Sequence, residues 1–325
     1  MARDWAERGL VESAFLDWLE DEGRVSFPWS MIDKITPHPS ERVQEELGRL
    51  GVADMAIART NTGTLIAPFV NAEITEYLVL EDAFPNGRPA LEGAGVYLTD
   101  RTTVEKAEKM KVGTCLNPLH TALAVYGCLL GYTSIAAEMG DADLKALVEH
   151  IAAESLPVVE DPGILSPRAF IDEVLHERFP NPAIPDTPQR IAADTSQKLP
   201  VRYGGTLRRY ARQSEQALAG LEFAPLVFAG WCRYLLGVDD RGNAMPVSPD
   251  PMLPQLQAHL KGIEVGRPDS LAGQLRPILS NAALFGVDLY AAGLGERTEE
   301  MFRDMLAGPG AVRATLHRNC ACKQP

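Results

Sequence analysis

No stretch of this sequence is long and apolar enough to span a bilayer. The longest apolar run, Phe223 to Leu236, is interrupted by Pro225 and Arg233, whereas a spanning helix needs about 20 apolar residues. That run therefore reads as a buried helix. Residues 1–20 carry too much charge for the apolar part of a signal peptide, so the expected location is the cytoplasm. Positive charge is also scarce: 31 Lys and Arg stand against 44 Asp and Glu, a net charge of −13. Such a surface repels phosphate backbones and anionic membranes, so neither is an expected partner. The five cysteines, Cys115, Cys128, Cys232, Cys320 and Cys322, form no disulfide framework and read as reduced thiols. No Gly-x-Gly-x-x-Gly follows a strand and opens a helix, and no Gly…Gly-Lys-Ser/Thr loop occurs. The glycines of GAGVYLTD (93–100) precede a strand, the wrong order for a phosphate cradle. A Gly-x-Ser-x-Gly nucleophile elbow is absent too.

What is present is ordinary globular material. The chain has 325 residues, 46% hydrophobic and 23% charged, enough for about two domains of roughly 100–200 residues. The first 100 residues mix helix (5–20, 40–50) with strand-like runs (55–60, 64–70, 77–80, 95–99) and a turn-rich segment at 25–37. Beyond 115 the pattern turns helical, over 118–139, 142–154, 167–177, 186–199, 206–219, 225–236 and much of 252–307. The expected fold class is mainly α, an all-helical C-terminal part preceded by an α/β segment.

Three clusters could carry chemistry. In KMKVGTCLNPLHTALAVYG (109–127) a β-leaning run, 112–116, ends at Asn117 and a helix begins. Asn117 suits the N-cap and Pro118 the first helical position. His120 then lies in the first turn, where the positive end of the helix dipole disfavours imidazolium, so a neutral ring is expected. A neutral imidazole beside an amide can polarise a carbonyl, and a lysine just upstream can serve as general base. The same residues also suit an ordinary capped helix end. In DTPQRIAADTSQKLPVR (186–202), Asp186 reads as a cap, and Arg190, Asp194 and Lys198 share one helix face at four-residue spacing. That face is either a solvated ladder of ion pairs or a basic claw for a carboxylate or polyhydroxyl group. In FPWSMIDKITP, Asp33 is either a turn former or a pocket residue. His317, Cys320 and Cys322 offer only three of the four ligands that zinc requires, so no metal is expected. His38, His150, His176 and His259 read as isolated structural side chains on surfaces or caps.

Taken together and in this order, these clusters resemble the polyol-specific long-chain dehydrogenases, the mannitol dehydrogenase family. FPWSMIDKITP is similar to the family's Phe-Pro-Asn-x-Met-Val-Asp-Arg-Ile-Thr-Pro, and EYLVLEDAFPNGRPALEGAGV to its Glu-Asp-x-Phe…Gly-Arg-Pro…Ala-Gly-Val stretch. KVGTCLNPLHTALAVYGCLLGY resembles its Lys…Asn-x-x-His signature, and DTPQRIAADTSQK its Arg-x(7)-Lys helix. The resemblance covers nearly the whole chain. It implies metal-independent hydride transfer with NAD. Lys111 would be the general base, Asn117 and His120 would hold the reacting oxygen, and Asp33, Arg190 and Lys198 would grip the remaining hydroxyls or a carboxylate. Lys111 lies six residues before Asn117 where the family has five, and Val112 takes the family position. A one-residue bulge would restore its aim; Lys109 is the poorer substitute.

The resemblance further implies that residues 1–70 end a Rossmann-type dinucleotide-binding domain and that 71–325 form the catalytic domain. Cofactor-binding residues and the choice between NAD and NADP then lie outside this chain, and a separately encoded Rossmann half is a conceivable partner. The implied substrate is a hexuronate or hexitol, fructuronate/mannonate before fructose/mannitol. The alternative is a non-catalytic remnant that binds a sugar acid, and the missing glycine fingerprint favours it.

Overall fold

The computed structural model describes residues 1–61 and 63–320. The amino-terminal third is sparse in regular structure. Helices α1 (Ala2–Glu7) and α2 (Ser13–Glu20) replace one expected helix, because Gly9 turns the chain through φ +67°. Strand β1 (Ser30–Asp33) and helix α3 (Glu41–Arg49) follow. The two strand-like runs at 55–70 shrink to a two-residue hairpin, β2 (Ala58–Arg59) and β3 (Leu65–Ile66).

Strands β4 (Tyr77–Glu81) and β5 (Tyr97–Thr99) complete a three-stranded sheet of order β1-β4-β5, antiparallel then parallel. In β1 the pleat alternates, so Met31 and Asp33 point inward while Ser30 and Ile32 face out. With one exception, Val201, every exposed large apolar side chain recorded lies within residues 1–97, Trp5, Trp18 and Phe27 among them.

From residue 101 the chain is helical. Helix α4 (Arg101–Met110), capped by the Asp100 carboxylate on Thr103 N–H, packs on β1 and β4. It does not break into the β-leaning run read from the sequence. It continues into a π-helix, Lys111–Cys115, in which Leu116 N–H bonds back five residues to the Lys111 carbonyl at 3.1 Å. A π-turn holds one residue more than an α-turn, so the extra residue before Asn117 is absorbed by a helical bulge rather than a β-bulge.

Helix α5 (Asn117–Leu130) then runs to Gly131, whose φ of 81° ends it early. Short α6 (Ile135–Glu138) and long α7 (Ala142–Ser155) follow. Helix α8 (Pro167–Glu173) also ends in a π-turn, Val174–Arg178.

The expected helix 186–199 is two helices, α9 (Pro188–Ile191) and α10 (Thr195–Arg202). Asp194, at φ 52° and with its N–H on the Pro249 carbonyl at 2.8 Å, breaks them apart. Helices α11 (Gly204–Gln213) and α12 (Glu215–Ala219) lead to α13 (Phe223–Tyr234), all of whose residues are buried. This is the buried helix that the apolar run predicted, and no helix among the described residues is long and apolar enough to cross a membrane.

Helix α13 packs on α5, and Gly230 makes that possible: a Cβ there would lie 2.7 Å from the Tyr126 ring. The Tyr126 hydroxyl donates to the Leu226 carbonyl at 2.8 Å, so its polar end is satisfied inside the core. The remaining helices, α14 (Leu253–His259), α15 (Arg276–Leu279), α16 (Ala282–Phe285), α17 (Gly295–Met305) and α18 (Ala311–Cys320), close the bundle around α13. His150, expected near the surface, is buried and stacks on Phe223 with centroids 4.2 Å apart.

Candidate active site

The sheet and the two π-turns converge on Asp33. At the inward end of β1 its carboxylate takes both arms of the Arg178 guanidinium, at 2.7 and 3.0 Å. The remaining guanidinium edge grips Glu73 at 2.8 and 3.0 Å. Glu73 in turn accepts the Ile35 N–H at 2.6 Å, which ties the chain just after β1 to the same cation. All three side chains are at most 3% exposed.

Lys111, the first residue of its π-helix, reaches the same carboxylate. Its Nζ lies 2.9 Å from Asp33 Oδ1 and donates to the Ile32 carbonyl at 2.8 Å. Burial pushes the Asp33 carboxyl up, but Arg178 and then Lys111 outweigh it and hold the group below its ordinary range. Both cations that meet Asp33 thus sit in π-turns, a geometry found often at functional sites. Lys109 faces elsewhere, near Glu105 and Glu160.

A second group forms around the start of α5. His120 Nε2 is 3.3 Å from Asp186 Oδ2, and its ring packs on Phe179 with centroids 5.1 Å apart. Among the described residues Asp186 Oδ2 has no aligned hydrogen bond, so the approach of the ring is a long one. Asp186 Oδ1 accepts from Arg190 Nε at 2.7 Å. Burial lowers the His120 pKa and the Asp186 charge only partly opposes it, with Arg202 and Arg190 lowering it further. The expected neutral ring is therefore found, with burial rather than the helix dipole as the leading cause. The carboxylate favours the N–H on Nε2, which leaves Nδ1 free to accept a proton from a hydroxyl.

Asp186 is not the cap of α9; Thr187 is, accepting the Arg190 N–H. Asn117 does not cap α5 with its side chain either. Its Oδ1 is buried with no partner among the described residues, an arrangement that costs about 1–3 kcal/mol unless a ligand completes it.

The basic claw of Arg190, Asp194 and Lys198 is not assembled as the sequence suggested. The break at Asp194 puts Arg190 on α9 and Lys198 on α10. Lys198 Nζ donates to the carbonyls of Ile191 and Ala193, at 3.0 and 2.5 Å, and so closes the end of α9. Burial lowers its pKa, with Arg202 adding to the effect.

Sequence reasoning missed Arg178, Glu73 and Arg202. Nothing local set them apart, since Arg178 follows Glu177, Glu73 is near Glu76 and Arg202 is near Lys198. Behind the pair of His120 and Asp186, Glu138 is wholly buried with neither oxygen partnered. Burial, with Asp141 and Asp186 nearby, pushes it up to about 9, so it is neutral at pH 7. In the tail, His317 pairs with Asp143 at 2.8 Å and Cys320 is buried, while Cys322 lies outside the described residues. Among the described residues no cluster could hold a metal ion.

A direct check on the His120 environment is available. Its ring should titrate below the ordinary 6.5 in an NMR pH series, and Asp186→Asn should move the midpoint further down, since it removes the charge that favours imidazolium. A higher midpoint in the variant would show that Asp186 does not face the ring. The sign for stability follows: a folded-state pKa below 6.5 gives a contribution that is full above 6.5 and lost as pH falls towards the folded value.

The profile of the mannitol dehydrogenase C-terminal domain matches residues 103–298, a span holding Lys111, Asn117, His120, Arg190 and Lys198. The chain belongs to the mannitol dehydrogenase family. Within that family it is 56% identical over 318 residues to D-mannonate oxidoreductase of Thermotoga maritima, covering 97% of this chain and 59% of that protein. It is 33% identical over 275 residues to D-mannonate oxidoreductase of Escherichia coli, covering 84% of this chain and 50% of that protein.

Among solved structures, Pseudomonas fluorescens mannitol 2-dehydrogenase in ternary complex with NAD and D-mannitol superposes with TM-score 0.72 at 29% identity. The match covers 98% of this chain and 58% of that one. The chain thus spans about 59% of the length of its Thermotoga relative.

Proposed function

We propose that this chain is the substrate-binding, catalytic part of an oxidoreductase that moves hydride between NAD and a sugar acid or sugar alcohol, D-mannonate before mannitol. The observation that carries the reading is the convergence of Lys111 and Asp33, brought together from separate segments of the chain, where the π-helix that begins at Lys111 leads into the α5 terminus bearing Asn117 and His120. The two D-mannonate oxidoreductases among the relatives support the substrate order.

In the proposed reaction Lys111, whose side chain is 17% exposed, releases a proton to solvent and as the free amine takes the proton of the reacting hydroxyl. Asn117 and His120 hold the reacting oxygen, and Asp33 keeps the lysine aimed. Arg190 remains a candidate grip on distal hydroxyls. Lys198 acts indirectly, by fixing the turn between α9 and α10. NAD, when bound by the whole protein, would supply the hydride acceptor.

The residues present do not fit a dinucleotide cradle, since no glycine fingerprint joins a strand to a helix. Residues 1–70 are proposed as the end of a dinucleotide-binding domain and 71–325 as the catalytic domain. The apolar side chains exposed in the first third, Trp5, Phe15, Trp18 and Phe27 among them, support a covering layer there. A second reading, a sugar-acid binding protein without redox activity, is favoured by the missing fingerprint alone.

The test is a panel of sugar acids and polyols with NAD and NADP, together with calorimetry. These 325 residues should bind NAD weakly and turn over D-mannonate only when a dinucleotide-binding domain is supplied. Tight NAD binding by the chain itself would overturn the domain division, and no turnover in the completed protein would overturn the dehydrogenase reading.

A further inference from the structure

Three arginines in the described structure are drawn into it, Arg178 and Arg233 buried and Arg202 half-buried, and they differ in how their donors are used. Arg178 places all three nitrogens on the carboxylates of Asp33 and Glu73. Arg233, fully buried, places all three on the backbone carbonyls of Met305, Val238 and Asp239. Arg202 uses one: Nη1 donates to Thr121 Oγ1 at 2.5 Å. Among the described residues it makes no ion pair. A cation drawn even partly out of water normally holds a carboxylate or saturates its donors, because the lost hydration is otherwise uncompensated. The Arg202 pKa, pushed down to about 10 by burial, is consistent with that missing partner.

The place of this guanidinium is informative. Arg202 ends α10, one turn after Lys198, and reaches across to α5 at Thr121, the residue after His120. Its charge is felt at both His120 and Lys198. Thr121 Oγ1 itself donates to the Asn117 carbonyl at 2.9 Å, so Arg202 is joined through one side chain to the first turn of α5. That turn also carries the buried, unpartnered Asn117 Oδ1. Among the described residues, a cation without an ion pair and an amide oxygen without a partner therefore border the same helix start, whose dipole favours a negative charge.

We infer that Arg202 is the specificity residue that reads the carboxylate of a sugar-acid substrate. The inference rests on the dehydrogenase reading of the site and moves carboxylate recognition from Arg190 and Lys198 to this residue. Arg190 is already paired with Asp186, and Lys198 is spent on backbone carbonyls. Two guanidinium nitrogens of Arg202 remain, and a carboxylate matches such a fork with two parallel hydrogen bonds. A neutral hexitol could satisfy the donors but not the charge.

Two measurements separate this inference from the reading it rests on. Turnover of D-mannonate and D-mannitol by the complete protein tests the reading. Calorimetric binding of D-mannonate by the same protein, wild type against Arg202→Gln and Arg202→Lys, tests the inference. Arg202→Gln should weaken D-mannonate binding by about 10- to 100-fold and lower the kcat/KM ratio of D-mannonate over D-mannitol by a similar factor, mainly through KM. Arg202→Lys should restore part of the binding, because the charge returns without the fork. Equal D-mannonate affinity in wild type and Arg202→Gln, with melting temperatures unchanged, overturns the inference even if turnover is normal. Loss of affinity in Arg202→Gln supports it even if neither compound is oxidised.

Discussion

In the complete protein, Lys111→Ala is expected to lower kcat on D-mannonate by roughly 10²- to 10⁴-fold, with the fold intact. The two halves of that expectation come from different contacts. Lys111 is the group proposed to receive the substrate proton, and no second amine meets Asp33, because Lys109 faces Glu105 and Glu160. Folding should survive because Asp33 keeps both hydrogen bonds from Arg178 when the lysine is gone. The remaining stability cost, for an ion pair with one side chain 17% exposed, should be about 1 kcal/mol. Steady-state kinetics beside denaturant unfolding would separate the two effects. Turnover near the parental level would remove Lys111 from the chemistry.

The largest effect on stability is expected from Arg178→Met, about 3–5 kcal/mol of unfolding free energy. The substitution leaves the Asp33 and Glu73 carboxylates buried together with no guanidinium between them. Lys111 can offset part of the charge on Asp33 but does not reach Glu73 among the recorded contacts. The pH dependence gives a sharper test than the magnitude. In the wild type the Asp33 pKa is held below 3.8, so its contribution is present above that value and lost as pH falls through the folded-state pKa. In the variant the same carboxyl keeps only Lys111, stays buried near Glu73, and takes up a proton more readily. The gap between variant and wild type should therefore narrow as pH is lowered towards the carboxylate range. A loss below about 1 kcal/mol, or a gap independent of pH, would show that water reaches the cluster.

Both predictions concern contacts made across long stretches of chain, which marks the limit of sequence reasoning here. Helices were legible because their signal is local: apolar residues three and four apart place α7 and α13 without reference to the rest of the chain. Breaks were less legible. Asp194 takes a left-handed conformation inside a run of helix-forming residues, and what holds it is the hydrogen bond its N–H donates to the carbonyl of Pro249, far along the chain. The β-leaning reading of 112–116 failed for a related reason. Val, Gly, Thr and Cys have modest helix propensity, but Thr206 Oγ1 on the Gly113 carbonyl and burial of Gly113, Thr114 and Cys115 hold the segment in a π-turn.

By itself the sequence determined the helical character beyond residue 115, the lack of a glycine fingerprint, and the order Lys111, Asn117, His120, because these depend on residue type and near spacing. Tertiary structure decided which charges meet. Asp33 could have paired with many cations, and only the packing of β1 against two π-turns delivers Arg178 and Lys111 to it. Likewise the approach of α10 to α5 leaves Arg202, among the described residues, with Thr121 as its hydrogen-bond partner. Ion pairing between distant residues is set by where the buried apolar surfaces force the chain to run, and linear spacing does not record that.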